Sequence, residues 1–176
     1  GSTSFGRPYR ERINGNWGVM DVQDCVDGAQ YLVDLGRVDP KRIAIRGRSS
    51  GGFTVLNALA SSDVFTAGAS FSGIADLVNL KETSHKFESH YDAILLGTDD
   101  TSDPVWAQRS PVNRVGDIKA PLMLLQGTDD PVVPASQAQE MYEALRANGN
   151  AVALKLYQGE GHRFRSAINI KDAWQS

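Results

Sequence analysis

Cysteine occurs once in the 176 residues, at Cys25. That excludes an intrachain disulfide framework and a thiolate metal cluster, and a lone thiol fits a reducing compartment, so a cytoplasmic protein is expected. Histidine is nearly as scarce, with three residues, His85, His90 and His162. Long apolar runs are missing: none exceeds four residues, Ala93–Leu96, Leu122–Leu125 and Ala151–Leu154 being examples. Neither a transmembrane helix nor a signal-peptide core is compatible with that pattern. No charge sign dominates, since 18 basic against 21 acidic residues leave a net −3. No Lys/Arg cluster is dense enough for a phosphate-binding face, so neither nucleic acid nor a membrane is expected as partner. No spacing of ligating side chains calls for a metal or a cofactor.

What is present fits one globular domain, with 41% apolar and 22% charged residues. Apolar positions alternate between helical and strand-like segments. The spacing predicts helices over Gly18–Leu35, Phe53–Ala60, Ala135–Ala147 and Ser166–Trp174. It predicts strands over Arg42–Arg46, Ala67–Phe71, Pro121–Gln126 and Ala151–Tyr157. Strand–helix alternation with short connections implies an α/β fold, a mostly parallel sheet with helices on both faces. The stretch from about Ile74 to Asn113 breaks the rhythm and reads as a polar insertion of short helices.

The sharpest motif is Gly47-Arg48-Ser49-Ser50-Gly51-Gly52, between a strand and a helix. A nucleophilic serine needs that setting: a tight turn exposes its hydroxyl, so the positions two before and two after must lack bulk, and the following helix aims its first amides at developing negative charge. A Gly/Ser-rich turn is the bland account of the same letters. The nucleophile needs a base and an orienting acid. His85 and His90 sit in the insertion, where a solvated imidazole is the simpler account. His162 follows the last strand, at the sheet edge where α/β folds place ligands, and is the favoured base. For the acid, Gly-Thr-Asp-Asp occurs twice, at 97–100 and 127–130. Asp129 follows the best strand, whereas Asp99 follows the helical stretch Tyr91–Leu96. Asp130 is read as capping the next turn. The resulting order, Ser49, Asp129, His162, is that of α/β-hydrolases.

Several further stretches carry a resemblance. They are Gly1-Ser2-Thr3…Phe5-Gly6-Arg7, Trp17-Gly18…Asp21-Val22-Gln23-Asp24, Val38-Asp39-Pro40-Lys41-Arg42-Ile43-Ala44, His85-Lys86-Phe87-Glu88-Ser89, Arg109-Ser110-Pro111, Gln126-Gly127-Thr128-Asp129-Asp130-Pro131-Val132-Val133-Pro134 and Gly159-Glu160-Gly161-His162. With the serine motif, they resemble the C-terminal catalytic part of the prolyl oligopeptidase family of serine peptidases, particularly its acylaminoacyl-peptidase and dipeptidyl-aminopeptidase-like branch. The resemblance implies an α/β-hydrolase domain with Ser49 as nucleophile, Asp129 as acid, His162 as base and the Ser50 backbone N–H as one oxyanion donor. It also implies N-terminal strands and a β-propeller upstream of residue 1, with residues 1–176 as a partial catalytic domain. Without those strands the strand at 42–46 becomes an edge, so self-association is expected.

Two positions depart from the family pattern. Pro131 stands two past the assigned acid, where many relatives carry a basic or amide residue gripping a substrate carbonyl. Ser50 replaces a common Tyr or Ala. The leading expectation is a serine hydrolase that cleaves short peptides or acylated amino acids through an acyl-enzyme. A carboxylesterase of small esters and a catalytically incomplete interaction fragment are the alternatives.

Overall fold

The computed structural model describes residues 3–83 and 91–176. A short 3₁₀ turn and helix α1 (Arg7–Glu11) lead into α2 (Met20–Asp34). There follow β1 (Ala44–Arg48), α3 (Ser50–Ser61) and β2 (Ala67–Phe71), then the short helices α4 (Leu77–Thr83), α5 (Tyr91–Leu96) and α6 (Pro104–Arg109) with a 3₁₀ segment over Pro111–Asp117. The chain closes with β3 (Leu122–Gly127), α7 (Ala135–Ala147), β4 (Val152–Tyr157) and α8 (Ala167–Gln175). The four strands form one sheet in the order β1-β2-β3-β4, every neighbouring pair parallel. Among the described residues no helix is long and apolar enough to cross a membrane.

At the serine motif two boundaries differ from the sequence expectation, for the same reason. Strand β1 runs two residues further than expected, because Gly47 still pairs with Ser70 and Arg48 with Phe71. Helix α3 begins three residues earlier, its first turn concealed by Gly51-Gly52. Glycine ends an apolar pattern on paper, but here both glycines are ladder or helix residues chosen for close approach. A Cβ at Gly47 would come within 2.3 Å of Gly51 O, and one at Gly52 within 2.7 Å of Gly73 Cα. A Cβ at Gly51 would meet nothing within 4 Å, so the bulk-free position after the serine is three residues on rather than two.

One face of the sheet is covered by α3 and α7, whose Val55, Leu56, Leu59, Met141 and Leu145 pack against Leu122 and Leu124. The opposite face carries Leu125, Tyr157, Ala69, Phe71 and Met123 against Ala173 of α8 and Phe164. Strand β3 is therefore apolar on both faces, which is why its sequence is an unbroken run rather than an alternation. Helix α3 lies between the sheet and α2, and every residue from Gly52 to Ala60 is buried. The insertion is less polar than its composition suggests. Ile74, Leu77, Leu80, Leu95, Leu96 and Trp106 form a second apolar cluster with Trp17, Phe53 and Val133.

That second cluster is tied to α7 by a buried amide. Gln137 of α7 accepts from the backbone N–H groups of Ala75 and Asp76, both at 2.8 Å, and donates to Asp76 O and Asn79 Oδ1, both at 3.1 Å. The segment leaving β2 is thus pinned to α7. The core makes a direct prediction. Leu145 is fully buried, whereas Ile168 is 79% exposed. Leu145→Ala should cost about 2–5 kcal/mol in urea unfolding, and Ile168→Ala should change stability by less than about 0.5 kcal/mol.

Candidate active site

The strand β1 delivers Ser49 into a backbone conformation that L-residues avoid, φ 57° and ψ −121°. Such a geometry costs roughly 1–3 kcal/mol and persists only where the surroundings impose it. Here the ladder imposes it from below, where Ser49 N donates to Phe71 O at 2.8 Å, while Phe53 N donates back to Ser49 O at 3.0 Å. The Ser49 side chain makes no capping bond to α3, and the first-turn amides of that helix, Ser50 N–H among them, have no acceptor within the helix. The first segment of the chain seals the flank of this turn. Trp17 Nε1 donates to Ser50 Oγ at 3.1 Å, and its ring lies 4.3 Å from that of Phe53. Asp21 accepts from Gly18 N and from Thr54 Oγ1, and Arg109 Nη1 donates to the carbonyls of Gly15 and Trp17, each at 3.0 Å. Beside Ser49 lies a cavity of about 410 Å³ whose apolar walls include Ile13, Trp17, Ile74, Leu80 and Leu95.

His162 lies past the end of β4, at the same edge of the sheet. Its Nδ1 is 2.9 Å from Asp130 Oδ2 and 3.1 Å from Asp130 Oδ1. The carboxylate against the histidine is thus that of Asp130, not that of the expected Asp129. Asp129 is exposed, its carboxylate taken by Thr128 Oγ1 at 2.8 Å, whereas the Asp130 side chain is fully inaccessible. The cause is the path of the chain after β3. Asp129 N donates to Glu160 O at 2.9 Å, drawing the loop after β3 against the loop after β4 and leaving the Asp129 side chain outside. The contact is close: a Cβ at Gly127 would stand 2.3 Å from Glu160 O. The next residue then points inward at His162. Asp130 also does the capping expected of it, accepting from Val132 N and Val133 N at 2.9 Å each. Counted from Asp130, the carboxylate against the histidine, the position two beyond is Val132, not Pro131, and it too lacks a basic or amide group.

Burial pushes the Asp130 carboxyl up. The hydrogen bonds from His162, Val133 N and Val132 N outweigh that and hold it below the usual carboxylate range. An ionised carboxylate can only accept, so its hydrogen bonds with His162 place a proton on Nδ1. Ser49 Oγ and His162 make no hydrogen bond in this structure, a common state of such pairs before substrate binds.

Glu160, which the sequence marks only as a motif residue, supports the histidine loop from inside. It accepts from Arg165 N at 2.6 Å, Ser166 N at 3.0 Å and Asn169 Nδ2 at 2.8 Å, and these bonds, led by Arg165 N, hold its carboxyl below the ordinary value. Of the other candidates, Asp99 is paired with Lys81, and His85 and His90 lie outside the described residues. The signal that could have found Asp130 is the Pro-Val-Val-Pro that follows it, a tight turn whose free amides need an acceptor at its first position.

The prolyl oligopeptidase family profile matches residues 1–176. The chain belongs to that family. Its relatives include dipeptidyl aminopeptidase BIII of Pseudoxanthomonas mexicana, 30% identical over 97% of this chain and 26% of the relative. Acylamino-acid-releasing enzyme 2 of Oryza sativa is 27% identical over 97% and 24%. Among solved structures, a puromycin-hydrolyzing peptidase of Mycobacterium tuberculosis superposes with a TM-score of 0.95 at 42% identity, over 98% of this chain and 26% of that one. The chain thus spans about a quarter of the length of the relatives it matches. Its parallel sheet with flanking helices is part of the family's α/β-hydrolase fold.

The depressed Asp130 carboxyl makes a prediction about stability. A carboxyl whose folded pKa lies below its unfolded value, about 3.9 for Asp, stabilises the fold above that range and loses the contribution as pH falls through the folded value. The urea midpoint of Asp130→Asn should therefore lie below that of the unaltered chain at pH 6, and the gap should narrow as pH drops below the unfolded value.

Proposed function

We propose that the chain is the catalytic segment of a serine peptidase that works through an acyl-enzyme on short peptides or acylated amino acids. One observation carries the reading: a fully buried carboxylate, Asp130, holds His162 Nδ1 at 2.9 Å, at the sheet edge where the positive-φ Ser49 turn also lies. The names of the relatives, an aminopeptidase, an acylamino-acid-releasing enzyme and a puromycin-hydrolyzing peptidase, supply the substrate class.

In this reading Ser49 Oγ attacks the carbonyl carbon and His162 Nε2 takes its proton. Asp130 keeps the imidazole in the correct tautomer and stabilises the imidazolium as it forms. Negative charge on the carbonyl oxygen is met by the Ser50 N–H at the start of α3. His162 then protonates the departing amine, and water repeats the sequence to release the acyl group. Residues 1–176 act as part of an α/β-hydrolase catalytic domain. The whole protein adds upstream strands that complete the sheet beyond β1, and a β-propeller before them. The quarter-length coverage of the relatives supports that addition, as does the position of β1 at an edge of the sheet among the described residues. Exposed Ala44, Arg46 and Arg48 line that edge strand, and self-association through it belongs to the same proposal. A cytoplasmic site agrees with the single Cys25.

In the whole protein, Ser49→Ala should abolish both turnover and labelling by a fluorophosphonate probe while the circular dichroism spectrum stays unchanged. Asp130→Asn should lower kcat by about 10⁴-fold, the value of a tautomer-fixing acid, while Asp129→Asn should stay within about threefold of the unaltered enzyme. Equal losses at the two aspartates would overturn the assignment. Faster turnover of p-nitrophenyl esters than of aminoacyl arylamides, with no arylamide cleaved, would replace the peptidase by an esterase.

A further inference from the structure

The last turn of β3 holds a polar side chain that the fold alone does not explain. Gln126 is fully buried, in a strand whose neighbours Leu122, Leu124 and Leu125 are apolar. Its Nε2 donates to Val133 O at 3.0 Å, Gly127 O at 3.1 Å and Asp130 Oδ2 at 3.2 Å. Its Oε1 has no hydrogen-bond partner. Burying an acceptor without a partner is unfavourable, and a buried strand position is ordinarily filled by an aliphatic residue. Turning the amide over would aim its oxygen at two carbonyls and a carboxylate, so the unpaired oxygen is the consequence of presenting the N–H₂ group to them.

We propose that Gln126 is a positioning residue for the acid: its Nε2 fixes the Asp130 oxygen that holds His162. The two carboxylate oxygens are treated differently. Oδ1 is located by the amides of Val132 and Val133, which belong to a turn. Oδ2, the oxygen nearer to His162 Nδ1, is located by Gln126, which belongs to the sheet. The same N–H₂ group also binds Val133 O, so one amide ties the start and the end of the 130–133 turn to β3. Acid and base are thereby referred to one rigid element, which a functional group held to sub-ångström tolerance requires. This inference rests on the serine-hydrolase reading above, with Asp130 as the acid.

The test uses the whole protein and p-nitrophenyl ester turnover. Gln126→Met keeps the volume and removes the donor, and it should lower kcat roughly tenfold or more with KM unchanged, since a small misplacement of a reacting group can cost about 10²-fold. Gln126→His should retain most of kcat, because histidine Nε2 lies as many bonds from Cα as glutamine Nε2 and can donate in its place. A packing role predicts the reverse order, the flexible Met being tolerated better than the ring. If the Met variant fails to fold, Gln126→Glu keeps the shape and presents an acceptor, and must show the same loss in kcat. A folded Met or Glu variant with unchanged kcat overturns the proposal, as does a His variant no better than Met. Ser49→Ala separates the two levels. Full activity there removes the catalytic reading and this proposal with it. With that variant inactive, unchanged kcat in Gln126→Met removes the role of Gln126 alone.

Discussion

The Asp130 carboxylate is the point on which the site depends. One oxygen closes the turn after β3 by accepting two backbone amides, and both oxygens face His162 Nδ1. Holding His162 in one place favours a buried position, because a carboxylate at the surface swings among rotamers and its bonds are screened. The geometry exists only because the loops after β3 and β4 touch, through Asp129 N to Glu160 O and across the bare Cα of Gly127. Parallel neighbours in a sheet bring their C-terminal loops to the same edge. The fold thus places side chains that are 32 residues apart, Asp130 and His162, within hydrogen-bonding distance.

Strain and support are divided between the two halves of the site. On the Ser49 side the backbone itself is unusual, held at positive φ by the β ladder and the first turn of α3. On the histidine side the backbone is relaxed, and precision comes from buried polar side chains instead: Asp130, Gln126 and Glu160. Gln137 performs the same service for the segment after β2, which walls the cavity beside Ser49. Each of these side chains is buried, and all but Gln126 Oε1 meet their partners, as polar groups in a low-dielectric interior must.

Much of the fold was legible in the sequence, because parallel strands buried on both faces leave short apolar runs and the helices between them keep a 3.6-residue stripe. Ser49 and His162 could be placed at the sheet edge from spacing alone, since each follows a recognisable strand. The choice between Asp129 and Asp130 could not be made that way. Both follow β3, and the deciding fact is which of two adjacent side chains turns inward once Asp129 N is bound to Glu160 O. Capping a turn and holding a histidine are not exclusive, since one carboxylate with two oxygens makes both sets of bonds. Gln126, Gln137 and the Trp17–Ser50 contact were not legible for a different reason. Their partners lie across the fold or around a turn, and a lone glutamine or tryptophan leaves no periodic mark.

The bond from Trp17 Nε1 to Ser50 Oγ gives the molecule a built-in optical probe. Of the three tryptophans, Trp174 is 66% exposed, while Trp17 and Trp106 are buried. A soluble quencher such as iodide reaches the exposed indole first, so the shielded emission comes from the interior pair. Within that pair, Trp106 Nε1 has no hydrogen-bond partner, and Trp17 is the indole attached to the residue next to Ser49. A change at the Ser49 turn would therefore reach a shielded indole through a single hydrogen bond, and its emission can be read without any attached dye.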